Sequence, residues 1–206
     1  TMSKTILIHG GSSLITKELI DLYSKENYSF IIFCRKKEDF LKSISYLNLE
    51  QNRLTVFEAD LLDIQKNFEY ILGLQNNIDG VIWVSGYTGE PLKEFENSNL
   101  ASNNIKINFL NPILFINKLL PKINKNGNGF IAVICSVAGL RGRAKNIFYG
   151  SAKSGLITFL SGLRQKFCNE LNILTIIPGY ISTNSFKEDA PKILITVLSE
   201  KYEKCS

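Results

Sequence analysis

Short apolar runs alternate with longer stretches in which apolar residues recur every three or four positions. The runs Thr5–His9, Ser29–Cys34, Leu54–Glu58, Gly80–Ser85, Phe130–Cys135 and Ile173–Ile177 are rich in Ile, Val and Phe. Several are apolar nearly throughout, as strands buried on both faces must be. The intervening stretches Leu14–Lys25, Lys37–Leu47, Asp63–Leu74, Asn99–Ile123 and Phe148–Asn169 carry helical spacing, and a last helix is expected over Pro191–Lys204. Strand and helix in strict alternation predict an α/β fold: a doubly wound parallel sheet of about six strands, with helices on both faces. No internal repeat, low-complexity stretch or linker interrupts the pattern, so residues 1–206 read as a single domain.

Composition adds little to this picture. Apolar residues make up 45% and charged residues 21% of the chain, ordinary values for a globular protein. No apolar run is long enough to span a bilayer, so no membrane partner is expected. Thr1 ahead of Met2 reads as an expression scar, no signal peptide is expected, and a cytoplasmic location follows. The four cysteines, Cys34, Cys135, Cys168 and Cys205, lack Cys-x-x-Cys spacing and are expected to be reduced thiols. With one histidine in the chain, no metal site is expected. The net charge of +5 suits an anionic ligand, but no long basic tract points to nucleic acid.

In a doubly wound sheet, ligands bind beyond the carboxyl ends of the strands, so the strand-to-helix junctions carry the chemistry. The first, His9-Gly10-Gly11-Ser12-Ser13-Leu14-Ile15-Thr16, is a glycine-bearing turn into a helix, able to aim backbone amides at a phosphate. Ser12 and Ser13 add hydroxyl donors. After the second strand stands Cys34-Arg35-Lys36-Lys37, where folds specific for the unphosphorylated dinucleotide carry an acid. Arg35 and Lys36 suit a 2′-phosphate, so NADP(H) is favoured over NAD(H). The other reading of this run is a solvated helix start. Asp60, followed by Leu61, either accepts from an adenine amino group or caps the next helix. Ser85 and Gly86 end the fourth strand, where glycine lets the backbone approach a ribose.

The remaining junctions face the reacting end. Ser136 follows the fifth strand and can donate to a substrate carbonyl oxygen. Tyr149 and Lys153 lie four residues apart on a helix, so they share one face. A cation near a phenolate, at ~4 Å and an effective dielectric near ~20, is worth on the order of 4 kcal/mol, enough to bring a tyrosine toward useful acid–base range. The sixth strand leads into Pro178-Gly179-Tyr180-Ile181-Ser182-Thr183, a rigid turn that can present Thr183 and neighbouring amides to an amide-bearing ring.

Taken together, these junctions resemble the short-chain dehydrogenase/reductase family, over nearly the whole chain. Ser136 stands thirteen residues before Tyr149, the spacing between the family's catalytic serine and tyrosine, and Lys153 completes its Tyr-x-x-x-Lys motif. Asn108 occupies the place of the catalytic asparagine, Asp60 that of the adenine-contacting aspartate, and Pro178-Gly179 with Thr183 matches Pro-Gly-x-x-x-Thr. The resemblance implies a Rossmann fold and a nicotinamide cofactor bound by Gly10, Ser12, Ser13, Leu14, Ile15, Arg35, Lys36, Asp60, Leu61, Ser85, Gly86, Tyr149, Lys153, Pro178, Gly179, Ile181 and Thr183. It also implies carbonyl reduction, or the reverse alcohol oxidation, through Ser136, Tyr149, Lys153 and Asn108, with Lys153 lowering the tyrosine pKa.

The chain departs from the family pattern at several points. His9, Leu14 and Thr16 replace the threonine and the later glycines of Thr-Gly-x-x-x-Gly-x-Gly. Leu14 is expected to crowd a pyrophosphate, and His9 reads as a structural residue of the turn or as a catalytic group. Trp83-Val84-Ser85-Gly86 keeps only the glycine of Asn-Asn-Ala-Gly. After Thr183 there is room for a connector and one helix, so an open substrate cleft is expected and the subunit interface built on the family's last strand is not. A homodimer through the two long helices, Asn99–Ile123 and Phe148–Asn169, remains the expectation. Arg141, Arg143 and Lys145 read as an attraction for an anionic small-molecule substrate or as a solvated loop. The competing functions are a catalytically weak dinucleotide-binding sensor or partner protein, and an epimerase or dehydratase relative.

Overall fold

The computed structural model describes residues 4–75, 77–178 and 195–198. Its strands are β1 (Lys4–His9), β2 (Tyr28–Cys34), β3 (Leu54–Glu58), β4 (Gly80–Trp83), β5 (Gly129–Ile134), β6 (Leu171–Pro178) and β7 (Ile195–Leu198). They form one sheet in the order β3-β2-β1-β4-β5-β6-β7, parallel from β3 through β6. The six parallel strands and the doubly wound order match the sequence reading. The last element does not. Where a helix was expected over Pro191–Lys204, Ile195–Leu198 pairs antiparallel with β6, Thr175 opposite Leu198. Ile195, Thr196 and Val197 are all β-branched, and such residues favour a pleated edge over a helix.

The helices are α1 (Leu14–Ser24), α2 (Lys37–Ser43), α3 (Ile64–Gly73), α4 (Pro91–Glu94), α5 (Ser98–Ile105), α6 (Asn111–Leu119) and α7 (Ile147–Lys166). The strands' period of two sorts side chains between two cores. Ile6, Ile8, Phe30, Ile32 and Cys34 pack with Ile20 of α1 and Phe40 of α2 on one face. Leu7, Phe33, Val81, Trp83, Ile131 and Val133 pack with Phe115 of α6 and Leu156 and Leu160 of α7 on the other. Each such fully buried side chain contributes about 1.5–3 kcal/mol.

The expected long helix over Asn99–Ile123 is divided. Between α5 and α6, Lys106–Leu110 forms a turn of π-helix, with the Asn111 amide donating to the Lys106 carbonyl five residues back. Pro112 supplies the cause: it has no N–H for the Asn108 carbonyl, four residues before it. Among the cysteines, Cys34 and Cys135 are free and buried. Cys168 is disulfide-bonded, which departs from the expectation that all four thiols are reduced. Among the described residues, no helix is long and apolar enough to cross a membrane.

The chain leaves β1 toward β2 on one side and returns through β3 and α3 to β4 on the other. The gap between the carboxyl ends of β1 and β4 is therefore the point where strand order reverses, and where a crevice must open.

Candidate active site

That crevice is a cleft of about 520 Å³, floored by His9, Gly10, Ser85 and Gly86 and walled by Arg35 and Leu61. Gly10 holds φ +119°, a conformation disfavoured for residues with a side chain, and a Cβ there would meet Ser85 N and Oγ at 2.9 Å. The turn thus lies directly against the end of β4. Ser13 caps α1, its Oγ accepting from the Ile15 amide at 3.2 Å. Buried Thr16 donates its hydroxyl to the Gly10 carbonyl at 2.7 Å, so the residue in place of the family's third glycine ties the turn closed.

Of the residues expected to hold a dinucleotide, Gly10, Ser12, Ser13, Arg35, Asp60, Leu61, Ser85 and Gly86 line this cleft. Ser12 and Arg35 also line an adjoining hollow with Lys17 and Lys36. Leu14 and Ile15 line neither hollow, and Leu14 is half exposed, so the expected crowding of a pyrophosphate by Leu14 is not seen in the cleft lining. Asp60 serves locally as well, accepting from the Leu62 amide at 2.8 Å. Pro178 ends β6, while Gly179, Ile181 and Thr183 lie outside the described residues.

His9 is buried and stacks on Trp83, with ring centroids 4.1 Å apart, and meets Phe115 edge-on at 5.0 Å. Its Nδ1 shares a 2.8 Å hydrogen bond with Ser85 Oγ, and Nε2 has no partner among the described residues. Burial lowers its pKa to about 3, so the ring is neutral at physiological pH. Of the two readings of His9, the structural one holds: it braces the Gly10 turn against β4.

At the other end of the site, Ser136 follows β5, and its Oγ accepts from the Ala138 amide at 3.2 Å, fixing the hydroxyl. Tyr149 and Lys153 lie on α7, which packs against the Val137–Gly139 turn; a Cβ on Gly139 would come within 2.8 Å of the Lys153 backbone. The Tyr149 phenol lies beside Ser136. Burial pushes the Tyr149 pKa up, and the neighbouring Ser136 hydroxyl offsets part of that rise. The net direction departs from the expectation of a lowered tyrosine pKa, because burial dominates; the Lys153 ammonium lies 5.8 Å from the ring centroid. Lys153 is itself buried, which pushes its own pKa down, and its Nζ donates to the Ile134 carbonyl at 3.2 Å.

Asn108 sits in the π-turn, wholly buried. Its Nδ2 is surrounded by the carbonyl oxygens of Tyr87 (2.6 Å) and Asn104 (3.0 Å) and by Asn104 Oδ1 (2.7 Å); its Oδ1 accepts from the Tyr87 amide at 3.1 Å. A Cβ on Gly86 would lie 3.2 Å from Asn108 Oδ1 and 3.4 Å from Lys153 Nζ, so Asn108 and Lys153 flank the same glycine. Ser136, Tyr149, Lys153 and Asn108 are therefore brought together. Sequence reading missed Pro112, whose four-residue offset from Asn108 is a legible signal, and Glu94 and Asn104, for which no local signal exists. Arg141 lies beside a separate hollow with Phe109, Gly150 and Ser154.

The sequence profile of the family described as short chain dehydrogenase matches residues 4–193. A Dictyostelium discoideum protein named dehydrogenase/reductase SDR family protein 7-like is 28% identical over 193 residues; the alignment covers 88% of this chain and 60% of that protein. The 3-oxoacyl-[acyl-carrier-protein] reductase of Bos taurus is 24% identical over 188 residues, covering 91% of this chain and 79% of its own length. A short chain dehydrogenase from Shigella flexneri, solved in complex with NADP, superposes with a TM-score of 0.74 at 24% identity, over 85% of this chain and 77% of that one.

Proposed function

Because the chain belongs to the short-chain dehydrogenase family, we propose that it is an oxidoreductase that moves hydride between NADP(H) and a small-molecule carbonyl or secondary alcohol. One observation carries this reading: Tyr149 lies beside Ser136 and next to buried Lys153, and Lys153 and buried Asn108 flank Gly86, which itself lines the cleft shaped by the glycine turn. The residues present fit a dinucleotide, since a side chain at Gly10 would fill the space against Ser85.

In this reading Gly10, Ser12 and Ser13 face the pyrophosphate, and Asp60 and Leu61 the adenine. Ser85 and Gly86 lie along the sugars, and Tyr149 and Lys153 hold the nicotinamide ribose. Arg35 and Lys36 meet the 2′-phosphate, which is why NADP(H) is preferred. The bound nicotinamide supplies or accepts the hydride. Ser136 orients the substrate oxygen. Tyr149, held protonated at neutral pH by burial, gives its proton to that oxygen in the reducing direction. The phenolate then forms next to the Lys153 ammonium, which stabilises it, and Asn108 links Lys153 toward solvent.

Three finer features belong to the same proposal. The substrate is anionic, drawn by Arg141, Arg143 and Lys145; the buried Nε of Arg143 has no partner among the described residues. The protein is a homodimer through the face of α6 and α7, where Leu110, Leu114 and Ile147 are exposed. Its location is cytoplasmic. The test is a fluorescence titration with NADPH and with NADH. NADPH should bind more tightly. No binding of either at millimolar concentration sinks the enzyme reading, and tighter NADH sinks the cofactor preference. Tyr149→Phe should keep NADPH binding and lose turnover by about 10²–10⁴-fold.

A further inference from the structure

We propose that Glu94, acting through Asn104, is a positioning residue that orients the Asn108 side chain against the loop 86–89 beside Lys153. This rests on the reductase reading for its kinetic consequence, though not for the orientation itself.

Glu94 ends the four-residue helix α4 and is only 3% exposed. None of the ion pairs among the described residues involves it. A buried carboxylate without a cation is costly unless N–H groups compensate it. Two do: Asn104 Nδ2 donates to Glu94 Oε1 at 2.7 Å, and the Glu90 amide donates to the same oxygen at 3.2 Å.

The chemistry of these groups fixes a direction. An ionised carboxylate only accepts, whereas a side-chain amide can present either its oxygen or its nitrogen. Facing Glu94, Asn104 must present Nδ2, which turns its Oδ1 toward Asn108. Asn108 then presents Nδ2 to Asn104 Oδ1, at 2.7 Å, in the same sense that the Tyr87 carbonyl and amide require of it from the loop. One acceptor-only group thereby sets Asn104 and, together with the Tyr87 backbone, Asn108, and the series ends at the glycine that also borders Lys153 Nζ.

Gly89 is a second and independent sign that this chain is built. It holds φ +82°, and a Cβ there would lie 2.0 Å from Glu94 Oε1 and 2.2 Å from Asn104 Nδ2. The loop is folded directly onto the Glu94–Asn104 bond, with no room for a side chain between them.

The test compares wild type, E94Q and E94L in protein labelled with ¹⁵N-asparagine, the Asn108 side-chain signal being assigned with N108S. Glutamine retains an acceptor oxygen; leucine retains only volume. The Asn108 amide should exchange slowly in wild type and E94Q and about tenfold faster in E94L, while the overall unfolding midpoint reports an intact fold. With NADPH and ethyl acetoacetate as probes, kcat should fall about tenfold in E94L and recover in E94Q, with KM and NADPH affinity held. An unchanged Asn108 signal in E94L, or E94Q matching E94L, overturns the proposal. So does an unchanged kcat when Asn108 is released. Where E94L fails to fold, Asn104→Ser cuts the same chain one link later and gives the same reading. A wild type that binds no NADPH and turns over no keto ester defeats the reductase reading, and the exchange data still decide the orientation.

Discussion

His9→Phe should remove an acid sensitivity that the wild type carries in its core. Histidine in an unfolded chain titrates near ~6.5, and burial lowers His9 to about 3 in the folded protein. Between those values the unfolded state holds more protons than the folded one, so stability falls as pH falls. Linkage over this interval gives a loss of about 2 kcal/mol between about pH 7 and about pH 5, rising to about 3 kcal/mol near pH 4. Phenylalanine keeps the stack on Trp83 and Phe115 but has nothing to protonate. The assay is urea unfolding followed by circular dichroism at several pH values, in both proteins. Carboxylates titrate in both and cancel, so the quantity read is the gap between the two stability curves. At neutral pH the variant should be the less stable protein, because Ser85 loses its partner. The gap should close by about 2 kcal/mol on going to about pH 5. Parallel curves would refute the burial of a neutral imidazole at this turn.

Other positions offer sharper local tests. Thr16→Val should cost about 0.5–1.5 kcal/mol, by removing one of the two hydrogen bonds that the Gly10 carbonyl accepts and leaving only the Ser13 amide, and should weaken NADPH binding; chemical unfolding and titration read the two effects. Gly89→Ala should reproduce the E94L phenotype, because its methyl group displaces the Glu94 carboxylate rather than deleting it; an unperturbed Asn108 amide would contradict this. Neutralising Arg141, Arg143 and Lys145 together should raise KM for a carboxylated or phosphorylated carbonyl substrate in a salt-dependent way. Equal kinetics at low and high ionic strength in both proteins would rule the triad out of substrate attraction.

The parallel strands were legible because each is a continuous run of β-branched and aromatic residues, a pattern that two-sided burial demands. Ile195-Thr196-Val197-Leu198 was misread as part of a helix, since an apolar run of four has no periodicity to separate the two states. The grouping of Ser136, Tyr149 and Lys153 was legible through fixed spacings within α7 and back to Ser136. The break at Lys106–Leu110 was written in Pro112 but hidden by the apolar pattern that runs on through it. Two other features depend on partners distant in sequence. His9 meets Ser85 across 76 positions, and Glu94 meets Asn104 across 10, from one helix to the next. The raised phenol of Tyr149 depends on burial, which spacing on a helix cannot report.

The stack at the carboxyl end of β1 gives the protein an optical property of its own. Trp83 is the chain's single tryptophan. Its indole N–H donates to the Ser85 carbonyl at 2.9 Å, and Ser85 forms part of the cleft floor. Intrinsic tryptophan emission from this chain therefore originates at one point, one residue removed from the place where a dinucleotide would lie. Quenching, spectral shift or energy transfer to a bound dihydronicotinamide would report on that cleft alone, without a label and without a known substrate.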